Sequence, residues 1–279
     1  MTMLVDSHCH LDFSKFDSDR DAVVQRARDA GVGIILNPGY DLESSRRAVT
    51  LSEQYDEVYA TIGVHPHQAK TVDRGVIDSL RELAVHPKVV GIGEIGLDYY
   101  RDLSPREVQR QALREQLSLA AELDLPVVVH SREAHEDVMF ILAEWVSCAQ
   151  PGTRSARSRG VLHAFSGDRA MASGAAALGF CMGVAGPVTF AKASALQALV
   201  ADLPLAQLLI ETDAPYLTPH PYRGKRNEPA LVALVCAAIA DLKGISARDV
   251  AEATMENGQR LFGLSGEPTI HNRPGGLSS

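Results

Sequence analysis

Eight short, strongly apolar runs recur along this chain, each followed by a stretch of helical character, and that rhythm narrows the possible folds more than anything else in it. The runs read MLVDSH, GIILNPG, VYATIGVHP, VVGIGEIGLD, PVVVHS, GVLHAF, GFCMGVAG and LLIETD. Most are near-continuous blocks of aliphatic residues rather than alternations, as expected of strands covered on both faces. The segments between them carry helix signals. DSDRDAVVQRARDAG opens on acidic residues and stops at Gly31, and SPREVQRQALREQLSLAAELD offers Ser104 as an N-cap with Pro105 at the first helical position. Residues 228–242 and 247–262 also read as helices. Strands and helices alternating without a break predict an α/β chain closed into a (β/α)8 TIM barrel. The competing open, doubly wound sheet has little support, because no G-x-G-x-x-G opens the first helix.

Length and composition agree with this reading. A chain of 279 residues with 46% hydrophobic content suits one barrel domain over residues 1–265 and a flexible tail at 266–279. The polar AQPGTRSARSRG segment, with Arg154, Arg157 and Arg159, reads as a solvated surface loop. No run approaches the roughly 18 apolar residues of a membrane span, and MTMLVDSHCH lacks the basic and apolar regions of a signal peptide. Cys9, Cys148, Cys181 and Cys236 are widely spaced, which suggests reduced thiols in a cytoplasmic protein, expected to be a monomer. The net charge of −8 argues against coating nucleic acid by bulk electrostatics. It leaves room for an enzyme that grips a few phosphates through local cations.

The chemistry-bearing residues fall at one end of these runs. His8 and His10 close the first, two apart and so on one face of an extended chain, with Cys9 turned away from them. Glu94 lies late in the fourth run, His130 ends the fifth, His163 comes late in the sixth and Asp213 ends the eighth. Barrel active sites are built at that rim. Singly, each residue has a plain structural reading: a hydrogen-bonded histidine, a salt-bridged Glu94, a turn-capping Asp213. Together, four imidazoles and two carboxylates at one rim carry a shared desolvation cost that a metal cluster removes. Six ligands exceed what one tetrahedral ion with an open position needs, and suit two ions sharing a carboxylate. His8 and His10 would hold one ion with Glu94 and Asp213, and His130 and His163 the second, with Glu94 as the bridge.

The segments LVDSHCHLD, PVVVHSREAHED and VADLPLAQLLIETDAP resemble the signatures of the TatD family of metal-dependent deoxyribonucleases, within the wider amidohydrolase-like barrels. GVHPH and GEIGLDYY are also typical of that family, and the likeness runs from about Leu4 to Phe262. The resemblance implies metal ligands at His8, His10, Glu94, His130, His163 and Asp213 and a requirement for two divalent ions. It also implies hydrolysis of DNA phosphodiester bonds, often from the 3′ end. Mg, Mn and Zn all remain open: imidazoles suit zinc or manganese, whereas phosphodiester chemistry commonly uses magnesium.

Around the ligands, Asp213 is the expected proton acceptor for the attacking water, with Glu94 as its catalytic partner. His65 reads either as a histidine that backs the metal ligands or contacts a phosphate, or as a turn residue before Pro66. Arg132 either holds a phosphate or pairs with Glu133 or Glu136. PHPYRGKRNEP brings Tyr222, Arg223, Lys225 and Arg226 after the last run, where they would suit a phosphate and a stacked base unless the loop is simply charged. DNA, single-stranded or at duplex ends, is therefore the expected substrate. The main alternative is a metal-dependent amide or ester hydrolase of the deacylase or lactonase type. A non-catalytic metal-binding protein is the weakest reading.

Overall fold

The computed structural model describes residues 2–148 and 159–264. Arg154, Arg157 and the expected 266–279 tail lie outside the described residues. Eight strands form one parallel sheet in chain order: β1 (Leu4–Asp6), β2 (Val32–Pro38), β3 (Val58–Ile62), β4 (Val89–Asp98), β5 (Val127–Arg132), β6 (Gly160–Leu162), β7 (Phe180–Val184) and β8 (Leu208–Ile210). Beyond β8 the chain bonds back to the segment after β1: Ser7 N donates to Ile210 O, His10 N to Ala214 O and Asp213 N to His8 O, at 3.0, 2.8 and 2.8 Å. The (β/α)8 barrel is thereby closed. Outside it run α1 (Arg20–Asp29), α2 (Leu42–Gln54), α3 (Arg74–Leu83), α4 (Arg106–Leu123), α5 (His135–Ser147), α6 (Arg169–Ala177), α7 (Ser194–Asp202), α8 (Val232–Lys243) and α9 (Ala247–Phe262).

The core follows from the apolar runs. Val5, Ile35, Ile62, Ile92, Ile95, Val129, Leu162, Met182 and Leu209 are fully or almost fully buried. Every residue of β4 is buried, as for strands sandwiched between a filled interior and covering helices. No single described helix is long and apolar enough to cross a membrane. Two local expectations need correction. α4 starts at Arg106 with Pro105 in the cap position, and the Ser104 hydroxyl instead donates to His67 O at 3.0 Å. Ser104 thus ties the rim after β3 to the entry of α4. Arg159 is not a solvated loop residue but a half-buried one where the chain enters β6.

β4 departs from regular pairing where the site lies. Ile92 pairs with Val127 and Ile95 with Val129, so β4 carries one extra residue there, and Glu94 sits in that bulge. A bulge re-aims a side chain. Gly96, at φ +144°, lets β4 approach β5 so closely that an added Cβ would meet His130 O at 2.0 Å. Close backbone contact with the His130 strand is what requires glycine there.

Candidate metal centre

β1, β6 and β8 are shorter than their apolar runs, so His8, His10, His163 and Asp213 stand just past the last ladder pairs rather than in the strands. The chain has begun to bend into the rim, but the backbone bonds across the β8–β1 seam keep His8, His10 and Asp213 in register. His130 is within β5 and Glu94 within β4. All six expected ligands meet at the C-terminal mouth.

Glu94 organises them. Its Oε2 lies 3.4 Å from His8 Nε2 and 3.6 Å from His10 Nε2. Its Oε1 lies 3.0 Å from His130 Nδ1, 2.8 Å from His163 Nε2 and 3.4 Å from His65 Nε2. One carboxylate therefore turns a separate oxygen to each of two histidine groups. His65 joins the second and so stands among the possible donors.

The donor atoms are spaced as a cation requires. Among His8 Nε2, His10 Nε2, Glu94 Oε2 and Asp213 Oδ1, five separations fall between 3.3 and 3.8 Å. Separations of that length are what tetrahedral ligands about 2.0–2.3 Å from one ion span, the range for Zn–N and Zn–O bonds. The remaining ring nitrogens also fit. His8 Nδ1, His10 Nδ1, His130 Nε2 and His163 Nδ1 are buried without a hydrogen bond. Behind two of them stand acids: Asp98 Oδ2 is 3.4 Å from His130 Nε2, and Glu211 Oε1 is 3.6 Å from His163 Nδ1. Carboxylates in that position orient metal-bound imidazoles. The chemistry and spacing of the donors thus fit divalent metal.

With protons as the only cations, charge divides unevenly. Burial pushes the Glu94 carboxyl up, but His163, His65 and His130 outweigh it and hold the group well below the usual range. Burial disfavours a charged His163, yet Glu94 and Glu211 raise it well above an ordinary histidine. His65 is lowered to about 4, chiefly by burial. Asp213 is pushed up to about 6 by burial, with His8 and His163 opposing and Glu94 reinforcing.

Three acids escaped the sequence reading although they lie inside the quoted runs. Asp6 accepts bonds from Thr212 N at 2.9 Å and Thr212 Oγ1 at 2.6 Å, fastening β1 to the Asp213 segment. Glu211 accepts from Ala164 N and from Ser7 Oγ. Asp98 bonds His67 Nε2 at 2.8 Å and accepts Tyr100 N and Arg101 N. The available signal was their spacing, two to four residues from a ligand in or beside the same apolar run.

The expected substrate contacts lie farther out. Arg132 is exposed and sits 3.9 Å over the Tyr100 ring; no ion pair to Glu133 or Glu136 is found among the described residues. Arg223 lies 4.1 Å over the Phe190 ring, and Tyr222 is exposed beside Lys225. Arg226 is not available in the same way, since both its terminal nitrogens hold Asp19 at 2.7 Å.

The sequence profile of the family described as "TatD related DNase" matches residues 5–263. The chain belongs to the TatD-related DNase family. It is 41% identical to the metal-dependent hydrolase YabD of Bacillus subtilis, over 94% of this chain and all of that one. It is 39% identical to the 3′-5′ ssDNA/RNA exonuclease TatD of Escherichia coli, again over 94% of this chain and all of the relative. The crystal structure of YjjV, a TatD homologue from Escherichia coli, superposes with a TM-score of 0.86 at 37% identity, covering 94% of this chain and 98% of that one. That structure and this chain thus share the same barrel.

Proposed function

We propose that this TatD-family chain is a metal-dependent deoxyribonuclease that hydrolyses phosphodiester bonds as a 3′-5′ exonuclease on single-stranded DNA or duplex ends. The observation that carries the reading is the Glu94 carboxylate, with one oxygen toward His8 and His10 and the other toward His130, His163 and His65. It supports two divalent ions sharing Glu94, one held with His8, His10 and Asp213 and the other with His130 and His163. When bound, such a pair activates water near neutral pH and neutralises charge on the attacking and leaving oxygens. Asp213 is the residue to hold the attacking water and take its proton, a contribution of about 10²–10⁴-fold. Arg132 and Arg223 supply cations at the mouth for neighbouring phosphates, and Tyr222 offers a ring to a base. Four free cysteines suit a reducing, cytoplasmic setting.

The deciding experiment strips the protein with a chelator, reloads it with single metals and incubates it with end-labelled single- and double-stranded DNA. Progressive shortening from the 3′ end is expected. Intact DNA combined with cleavage of simple amides or esters would transfer the site to the deacylase or lactonase reading.

A further inference from the structure

Aromatic side chains are kept out of water wherever packing allows, and among the described residues only four are exposed: Tyr100, Phe140, Tyr216 and Tyr222. Three of the four follow β4 or β8, at the mouth of the candidate metal centre. β4 and β8 stand four strands apart in a ring of eight, so their ends face each other across that mouth. Tyr100, 54% exposed, lies on the β4 side; Tyr216, 47% exposed, on the β8 side.

Each ring is joined to the site by a short, defined path. On the β8 side His10 stacks on Phe13, with centroids 4.7 Å apart, and Phe13 meets Tyr216 edge-on at 5.9 Å and 81°. The edge-on contact holds the ring while leaving it half open to solvent, and Lys15 Nζ reaches 4.9 Å from its centroid. Tyr216 N also donates to Asp213 O at 2.8 Å. On the β4 side Tyr100 N donates at 3.0 Å to Asp98, whose other oxygen faces His130. The Arg132 guanidinium lies 3.9 Å over the Tyr100 ring. Neither Lys15 nor Arg132 has a carboxylate partner among the described residues. A half-exposed ring with an unneutralised cation on it is the combination that takes an unpaired base and its phosphate.

Resting on the nuclease reading above, we propose that Tyr216 with Lys15 and Tyr100 with Arg132 are two base-stacking platforms that hold a single strand across the mouth. The scissile phosphate then lies between them, over Glu94 and Asp213. A base stacked on either ring has to be unpaired, so the platforms select single-stranded ends. They position the substrate and are not catalytic residues.

The test uses the metal-loaded protein and a fluorescent single-stranded oligodeoxynucleotide with non-hydrolysable linkages, alongside a version with abasic sites. Tyr216→Ala and Tyr100→Ala are expected to weaken binding of the intact oligonucleotide about tenfold each. Tyr216→Phe and Tyr100→Phe, which keep the ring, should stay within about threefold of the parent. On the abasic oligonucleotide the alanine penalty should largely disappear, because the ring then has no base to couple to. Equal alanine penalties on intact and abasic strands, no penalty at all, or phenylalanine variants as weak as the alanine ones would overturn the platforms. Parallel turnover assays separate the two claims. Cleavage of DNA without a ring-dependent penalty removes the platforms and leaves the nuclease; ring-dependent binding without cleavage does the reverse.

Discussion

Replacing Glu94 with glutamine tests the centre most directly. The substitution keeps shape and buried volume but leaves one oxygen where there were two. That oxygen can face the His8–His10 group or the His130–His163–His65 group, while the amide nitrogen opposes the other with donors where a ligand is needed. Loss of an outer-sphere partner weakens metal binding about 10–100-fold, so loss of a ligand should reach about 100-fold, or about 2.7 kcal/mol. At free metal near 100 times the wild-type dissociation constant, binding stabilises the wild type by about 2.7 kcal/mol but the variant by about 0.4 kcal/mol. For a chain of this size that is a melting shift of about 5–10 °C against about 1 °C. The assay is thermal melting of chelated and reloaded protein, with metal content measured by elemental analysis and turnover on end-labelled DNA in parallel. A Glu94→Gln protein that keeps the full metal-induced shift, the full metal content and wild-type turnover would refute the shared carboxylate.

Other perturbations separate the neighbouring roles. Asp213→Asn should lower turnover by about 10²–10⁴-fold while folding persists, measured with metal content checked beside the rate. Burial raises Asp6 to about 8, against the bonds from Thr212 and His8, so the folded chain keeps a proton that the unfolded chain releases from about pH 4 upward. In metal-free protein this stabilisation is full below about pH 4 and lost as pH rises through about 8; Asp6→Asn should flatten the decline in melting temperature, and parallel profiles would contradict the assignment. Gly96→Ala places a Cβ against His130 O and a side chain at φ +144°, so it should cost at least about 1–3 kcal/mol in denaturant titrations and weaken metal binding with it.

What could be read from the sequence was whatever repeats or stands close in the chain. The eight apolar runs gave the barrel because strands buried on both faces must be apolar throughout. The six candidate ligands were visible because they stand late in, or just after, five of those runs. What stayed hidden depends on partners far away in sequence. Arg226 looks like a free cation until the fold brings Asp19 to it from 207 positions away. Arg132 suggested an ion pair with its neighbours, but Tyr100, reached through β4–β5 pairing, is its contact. Ser104 had the composition of a cap, and only the proximity of His67 O explains its different bond. His65 was weighed as a turn histidine because nothing local revealed that the β4 bulge aims Glu94 at it.

The placement of the two histidine groups carries a further consequence for how fold and site depend on each other. His8, His10 and Asp213 straddle the seam where β8 meets β1, the junction held by the shortest strands and by single bonds such as Asp213 N to His8 O. His130 is within β5, and His65 and His163 follow β3 and β6, on the continuous part of the wall. Glu94 reaches both, and the His8 and His163 rings stack 3.9 Å apart between them. A cation held by His8, His10, Asp213 and Glu94 would therefore also join that seam to the wall, and Asp6 on Thr212 already fastens it from below. The acids behind the ligands, Asp6, Asp98 and Glu211, are thus buried structural residues as much as parts of the site.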